Sequence, residues 1–164
     1  MPMLKKLSEG LGETWDHIAE GWRHLSQRAS HALTRFTPSK MTKGDLQDMA
    51  LRSTGWGMLA CEVFDDDERV IVRLEVPGME RDDFDLQIVD DYLLVRGEKQ
   101  MSRESSEGGY HISECAYGRF ERAIPIPGEV DSNKVNAYYK NGVLRVELPK
   151  LTPRQRRRIK VDVD

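Results

Sequence analysis

A chain of 164 residues, 38% apolar and 32% charged, has room for one compact domain with appended segments and a well-solvated surface. Its net charge of −3 is laid out unevenly: residues 1–55 carry 8 basic and 6 acidic groups, residues 56–149 carry 11 and 20, and the last fifteen carry 6 and 2. An acidic body with a basic tail argues against a nucleic-acid-binding core, and no apolar run approaches the roughly 18 residues that span a bilayer.

In chain order, residues 1–36 follow helical spacing. Apolar side chains fall at Leu4, Leu7, Leu11, Trp15, Ile18, Trp22, Leu25, Ala29, Ala32 and Phe36, in steps of three or four. The pattern predicts an amphipathic helix or a broken pair of helices, since Gly10, Gly12 and Gly21 each cost about 1 kcal/mol in a helix. His17, His24 and His31 recur seven apart on one face, about 10 Å between neighbours, too far to share a metal. Lys5-Lys6 leads into this stripe and not into the apolar stretch of a signal peptide, so the expected compartment is the cytosol. Cys61 and Cys115, isolated and outside any metal-ligand spacing, fit the reducing conditions found there. Residues 37–55, with Pro38, Gly44 and Gly55, read as a linker.

From Trp56 the period changes to two. Leu59, Cys61 and Val63 alternate, then Asp65–Glu68 marks a turn. Val70, Val72, Leu74 and Val76 form a strand up to Pro77-Gly78, and Phe84, Leu86 and Ile88 form the next. Asp90-Asp91 turns the chain into a strand from Tyr92 to Arg96. A polar loop from Lys99 follows, in which Tyr110–Glu114 reads as a short strand; Phe120–Ile126 is the strand after it. Val135, Ala137 and Tyr139 alternate up to Asn141-Gly142, the strongest short hairpin signal, because both central residues of a type I′ turn need positive φ. Leu144, Val146 and Leu148 complete the hairpin, and Pro149 ends it for want of an N–H. Seven or eight short strands without intervening helices predict an all-β, immunoglobulin-like sandwich over residues 56–150. The extension 151–164 carries the run Arg154–Arg158 and then Ile159-Lys-Val161-Asp-Val163, a β-type alternation with nothing of its own to pair with.

Several of these pieces occur together in one known family. Ala137, Asn141, Gly142, Val143 and Leu144, closed by Leu148-Pro-Lys150, resemble the signature of small heat-shock proteins, the α-crystallin (Hsp20) family. Leu74-Glu-Val-Pro-Gly78 with Asp83, Leu94 with Gly97-Glu98, and Tyr117-Gly-Arg-Phe-Glu-Arg122 with Ile126-Pro127 resemble its other segments in the same order. Ile159-x-Val161 matches its C-terminal anchor, while residues 1–55 match only in character.

The resemblance implies an ATP-independent chaperone that holds partly unfolded clients and assembles from homodimers into larger oligomers, with no cofactor. It further implies that Ile159 and Val161, pointing the same way in an extended tail, enter a groove on a neighbouring subunit formed by Phe84, Leu86, Ile88, Val135 and Ala137. The ten residues from Pro149 reach up to about 35 Å. Val161 and Val163 offer a second register. Tyr110 and Ile112, in the long loop, and Arg122 are the expected dimer-interface residues. The apolar stripe, represented by Leu11, Trp15, Ile18, Trp22, Leu25 and Phe36, offers an adaptable surface to exposed hydrophobic segments. An adaptor co-chaperone of related sandwich fold and a membrane-surface stress protein are the rival readings. No nucleophile elbow, zinc spacing or phosphate-cradling loop points to an enzyme.

Overall fold

A computed structural model describes residues 17–24, 27, 31–37, 55–102, 104, 105 and 107–152. Residues 17–24 are helical. Among the described residues nine strands follow: β1 (Leu33–Arg35), β2 (Trp56–Met58), β3 (Cys61–Asp65), β4 (Arg69–Glu75), β5 (Phe84–Val89), β6 (Tyr92–Lys99), β7 (Gly118–Pro125), β8 (Asn136–Lys140) and β9 (Val143–Pro149). They form one four-stranded sheet in the order β3-β4-β9-β8, one three-stranded sheet in the order β5-β6-β7, and a small ribbon of β1 and β2. Every pairing is antiparallel.

The turns form where short-range chemistry demands them. Asn141 and Gly142 have φ of 52° and 76°, the pair of positive values that a type I′ turn needs to match the twist of β8 and β9. Gly142 is also hemmed in: an added Cβ would stand 3.1 Å from the side chain of Pro77. Between β3 and β4 the Asp66 carboxylate accepts from the backbone N–H of Glu68 and of Arg69, both at 2.8 Å, which fixes the turn and holds its carboxyl below the usual range.

The two large sheets pack face to face, and the alternation in the sequence decides which side chains fill the space between them. Val70, Val72, Leu74 and Val76 from β4 and its end meet Leu144, Val146 and Leu148 from β9, all buried. Leu93, Val95, Phe120 and Ile124 cover them from the other sheet. Each such side chain contributes about 1.5–3 kcal/mol through removal from water.

Three features differ from the sequence reading. The helical stripe does not run through residue 36, because Leu33–Arg35 is a strand paired with Trp56–Met58. Alternation along β3 does not bury its side chains: Val63 and Phe64 are both exposed, since β3 is the edge of its sheet. Period two reports which face a residue takes, not whether anything covers that face. Tyr110–Glu114 is not a strand within this chain.

Candidate functional site

At one side of the sandwich the free edges of the two sheets, β5 and β8, lie over each other. The Phe84 and Tyr139 rings make the contact, with centroids 5.1 Å apart, and the Tyr139 hydroxyl donates to the carbonyl of Val76 at 2.9 Å. Strand register then shows which neighbours point inward. Leu86 and Ile88 pair with Val95 and Leu93, which are buried, so the β5 residues share that inner face. Ala137 and Tyr139 pair in the same way with buried Val146 and Leu144.

These inward-facing residues are incompletely covered. Phe84, Leu86, Ile88, Val130, Val135 and Tyr139 are half-buried and pack against the core. Ala137 faces inward yet is exposed, so the row of inward side chains is open to solvent at that position. Two sheet edges with part-covered apolar side chains between them are the kind of surface at which strand addition takes place in proteins.

The opposite side of the sandwich is built differently. Arg122 on β7 pairs with buried Val95, so its side chain starts from the inner face. Its guanidinium donates to the carbonyl of Leu59, just before β3, and so ties one sheet to the other. Burial pushes the nearby Cys61 thiol up, and the Arg122 charge opposes that shift. Segment 32–37 closes the rest of this side. Phe36 N–H donates to Gly55 O at 2.7 Å, Leu59 N–H donates to Ala32 O at 2.9 Å, and Thr37 and Arg119 exchange two backbone bonds of 2.8 Å.

The structure distributes the expected site residues unequally. Phe84, Leu86, Ile88, Val135 and Ala137 are gathered at the β5/β8 edge. Tyr110 and Ile112 lie in the loop before β7, where the Tyr110 hydroxyl accepts from Glu104 N–H and Ile112 is 76% exposed. Ile18 and Trp22 are exposed on the helical stretch 17–24. Phe36 corrects the reading of a continuous client-binding stripe: it is 4% exposed and packs on Phe120, with ring centroids 5.3 Å apart. It follows directly on strand β1, its N–H donates to Gly55 O, and its side chain lies in the core. Leu11, Trp15, Leu25, Ile159 and Val161 lie outside the described residues. Tyr139 was legible as a strand residue, but its role in joining the sheets depends on a hydroxyl contact 63 residues away in the chain.

Among the described residues, no group of three or more His, Cys, Asp or Glu side chains is placed to hold a metal, and no helix is long and apolar enough to cross a membrane.

Comparison with known proteins gives a consistent result. A family model described as the Hsp20/alpha crystallin family matches residues 62–164. Small heat shock protein C4 of Rickettsia felis is 32% identical over 100 residues, 61% of this chain and 61% of that protein. Small heat shock protein C2 of the same organism is 30% identical, over 61% of this chain and 65% of its own length. The chain thus spans somewhat less than two thirds of these relatives. Among solved structures, heat shock protein 16.0 from Schizosaccharomyces pombe is 30% identical with a TM-score of 0.53, over 65% of this chain and 96% of that one.

Proposed function

The chain belongs to the Hsp20/alpha crystallin family, and on that premise we propose that it is an ATP-independent holdase working as a dimer-based oligomer. The family is one of small heat shock proteins, which are chaperones, so the coarse role is in protein folding and stress. The observation that carries the finer reading is the half-covered apolar edge between β5 and β8. Buried faces stabilise a sandwich most when they are sealed, so an edge left open with Leu86, Ile88 and Ala137 turned toward it is suited to an incoming strand.

Ile159 and Val161 supply such a strand from a neighbouring copy. Tyr110 and Ile112 extend toward a partner subunit to form the dimer, and Arg122 stiffens the sheet edge on which that partner bears. Client segments meet the apolar N-terminal stripe, of which Ile18 and Trp22 are exposed. The protein acts in the cytoplasm under this reading.

The deciding experiment is light scattering from a heat-unfolding client with the full chain added and no ATP. Scattering is expected to fall, and to rise again when residues 1–30 are removed. Scattering unchanged across several clients would overturn the holdase and favour an adaptor that serves a larger chaperone. In parallel, Ile159→Ala with Val161→Ala is expected to reduce the native mass to that of a dimer. An unchanged mass would remove the tail from the assembly.

A further inference from the structure

The side of the sandwich that is closed holds its own strand in a manner open to substitution. Segment 33–37 is extended and follows a turn at His31-Ala32; Ala32, Thr34 and Phe36 are buried while His31, Leu33, Arg35 and Thr37 are exposed. It is held through the backbone: three register pairs with β2, the bonds to Gly55 and Leu59, and the reciprocal pair with Arg119 on β7. These backbone bonds ask for no particular side chain; beside them the Thr37 hydroxyl donates to the carbonyl of Arg119 at 3.4 Å. The slot asks only for small, small and aromatic residues at alternate positions. Gly57 makes room for the last, since a Cβ there would lie 2.8 Å from the Phe36 ring and 2.6 Å from Ala116 Cβ.

Beside the filled slot the surface stays apolar. An open depression of about 370 Å³ adjoins the segment, lined by Leu33, Phe36, Trp56, Met58, Val76 and Cys115 among others. Trp56, Met58 and Leu33 are about half exposed along it. The segment's ladder is the shortest among the described strands. β1 has three residues and lies in a two-stranded ribbon, against ladders of five to eight pairs in the two large sheets. Short ribbons of this kind open locally at lower free energy than the sheets they rest on.

We propose that this slot is a second client site, and that segment 32–37 is a resident stand-in for the client. When the segment lifts, an extended stretch of an unfolded protein with the pattern small-x-small-x-aromatic takes its place between β2 and β7. The inference deepens the holdase reading and rests on it only for the client. The slot has its own binding test.

That test locks the segment in place. Thr37→Cys with Arg119→Cys, in a chain also carrying Cys61→Ser and Cys115→Ser, puts two thiols on an exposed hydrogen-bonded pair of antiparallel strands, where Cα atoms stand about 5.5 Å apart. A fluorescent peptide of residues 31–37 is titrated into the reduced and the oxidised full chain. Concentrations must reach the millimolar range, because the tethered segment competes at an effective concentration of that order. The reduced chain is expected to bind the peptide at least tenfold more tightly than the oxidised one, and the peptide with its phenylalanine changed to alanine is expected to bind neither. Equal binding in the two redox states, or binding by neither, overturns the proposal. Client scattering is measured on the same samples. Oxidation that lowers protection, restored by reductant, supports the slot as a client site; equal protection in both states removes it from client handling. A reduced chain that binds the peptide but protects no client sinks the holdase reading and leaves the slot as a peptide site.

Discussion

The two long sides of the sandwich bring apolar inner faces to an edge, and the chain treats them in opposite ways. Between β7 and β3 the gap is filled by Phe36, bridged by Arg122 to the carbonyl of Leu59 and bound by backbone hydrogen bonds of segment 32–37. Between β5 and β8 the Phe84–Tyr139 contact and its hydroxyl bond to Val76 bring the edges together, and Leu86, Ile88 and Ala137 are left part-covered or open. The difference teaches that an edge in this fold is open or closed according to what the rest of the chain lays over it. The same core faces lie behind both sides, and only one is supplied with a lid from within the chain.

Stability measurements can break this contrast. Phe36→Ala is expected to cost about 3–5 kcal/mol in urea unfolding, because a large buried ring leaves a cavity. Leu86→Ala at the open edge is expected to cost about 1–2 kcal/mol, since that side chain is half-exposed already. Equal losses would show that the two edges are sealed alike. Gly57→Ala is expected to cost about 1–3 kcal/mol, through collision with Phe36 and Ala116; no loss would mean the closed side has slack. Tyr139→Phe keeps the ring on Phe84 and removes the bond to Val76, for about 1 kcal/mol in the same assay. A stability equal to the native chain's would assign the joining of β5 to β8 to the rings alone.

The smallest effect belongs to neither edge. Hydrogen bonds from Arg69 and then Arg145 hold the Glu147 carboxyl below its ordinary value, and backbone N–H groups do the same for Asp66. Groups with depressed folded values add stability above their unfolded pKa, and lose it as pH falls through the folded value. Urea midpoints are therefore expected to hold above about pH 5 and to decline below about pH 4, with Glu147→Gln making that decline shallower. A midpoint that rises on acidification would reverse the sign and sink the account.

Much of the fold could be read locally, because its causes are local. The Asn141-Gly142 turn, the buried alternation of β4 and β9, and the acidic turn at Asp66 each depend on residues within a few positions of one another. The inner-facing row Phe84, Leu86 and Ile88 was legible for the same reason. β1 was not. Ala32 and Phe36 fit a helical stripe as well as a strand, and the choice is made by pairing with β2 and by the bonds of Thr37 to Arg119, 82 residues further along. Nor does spacing say that Arg122 reaches Leu59, 63 residues back, since one arginine on a strand has many possible acceptors. Coverage of an edge is a property of the assembled chain, and period two carries no record of it.

The exposed strand β3 has a bearing on how this molecule survives the conditions in which aggregation threatens. A free edge carrying exposed Val63 and Phe64 is a template for sheet growth, the hazard that drives denatured proteins into fibres and precipitates. Four consecutive acids, Asp65–Glu68, abut that edge. Lys150 answers Asp65 at 2.5 Å and Arg69 stands 3.8 Å from Asp66, while Asp67 and Glu68 add two more negative charges at the same turn. Two copies approaching β3 to β3 bring like charges together, so the carboxylates act as gatekeepers against self-templated growth and leave the edge to strands of another composition.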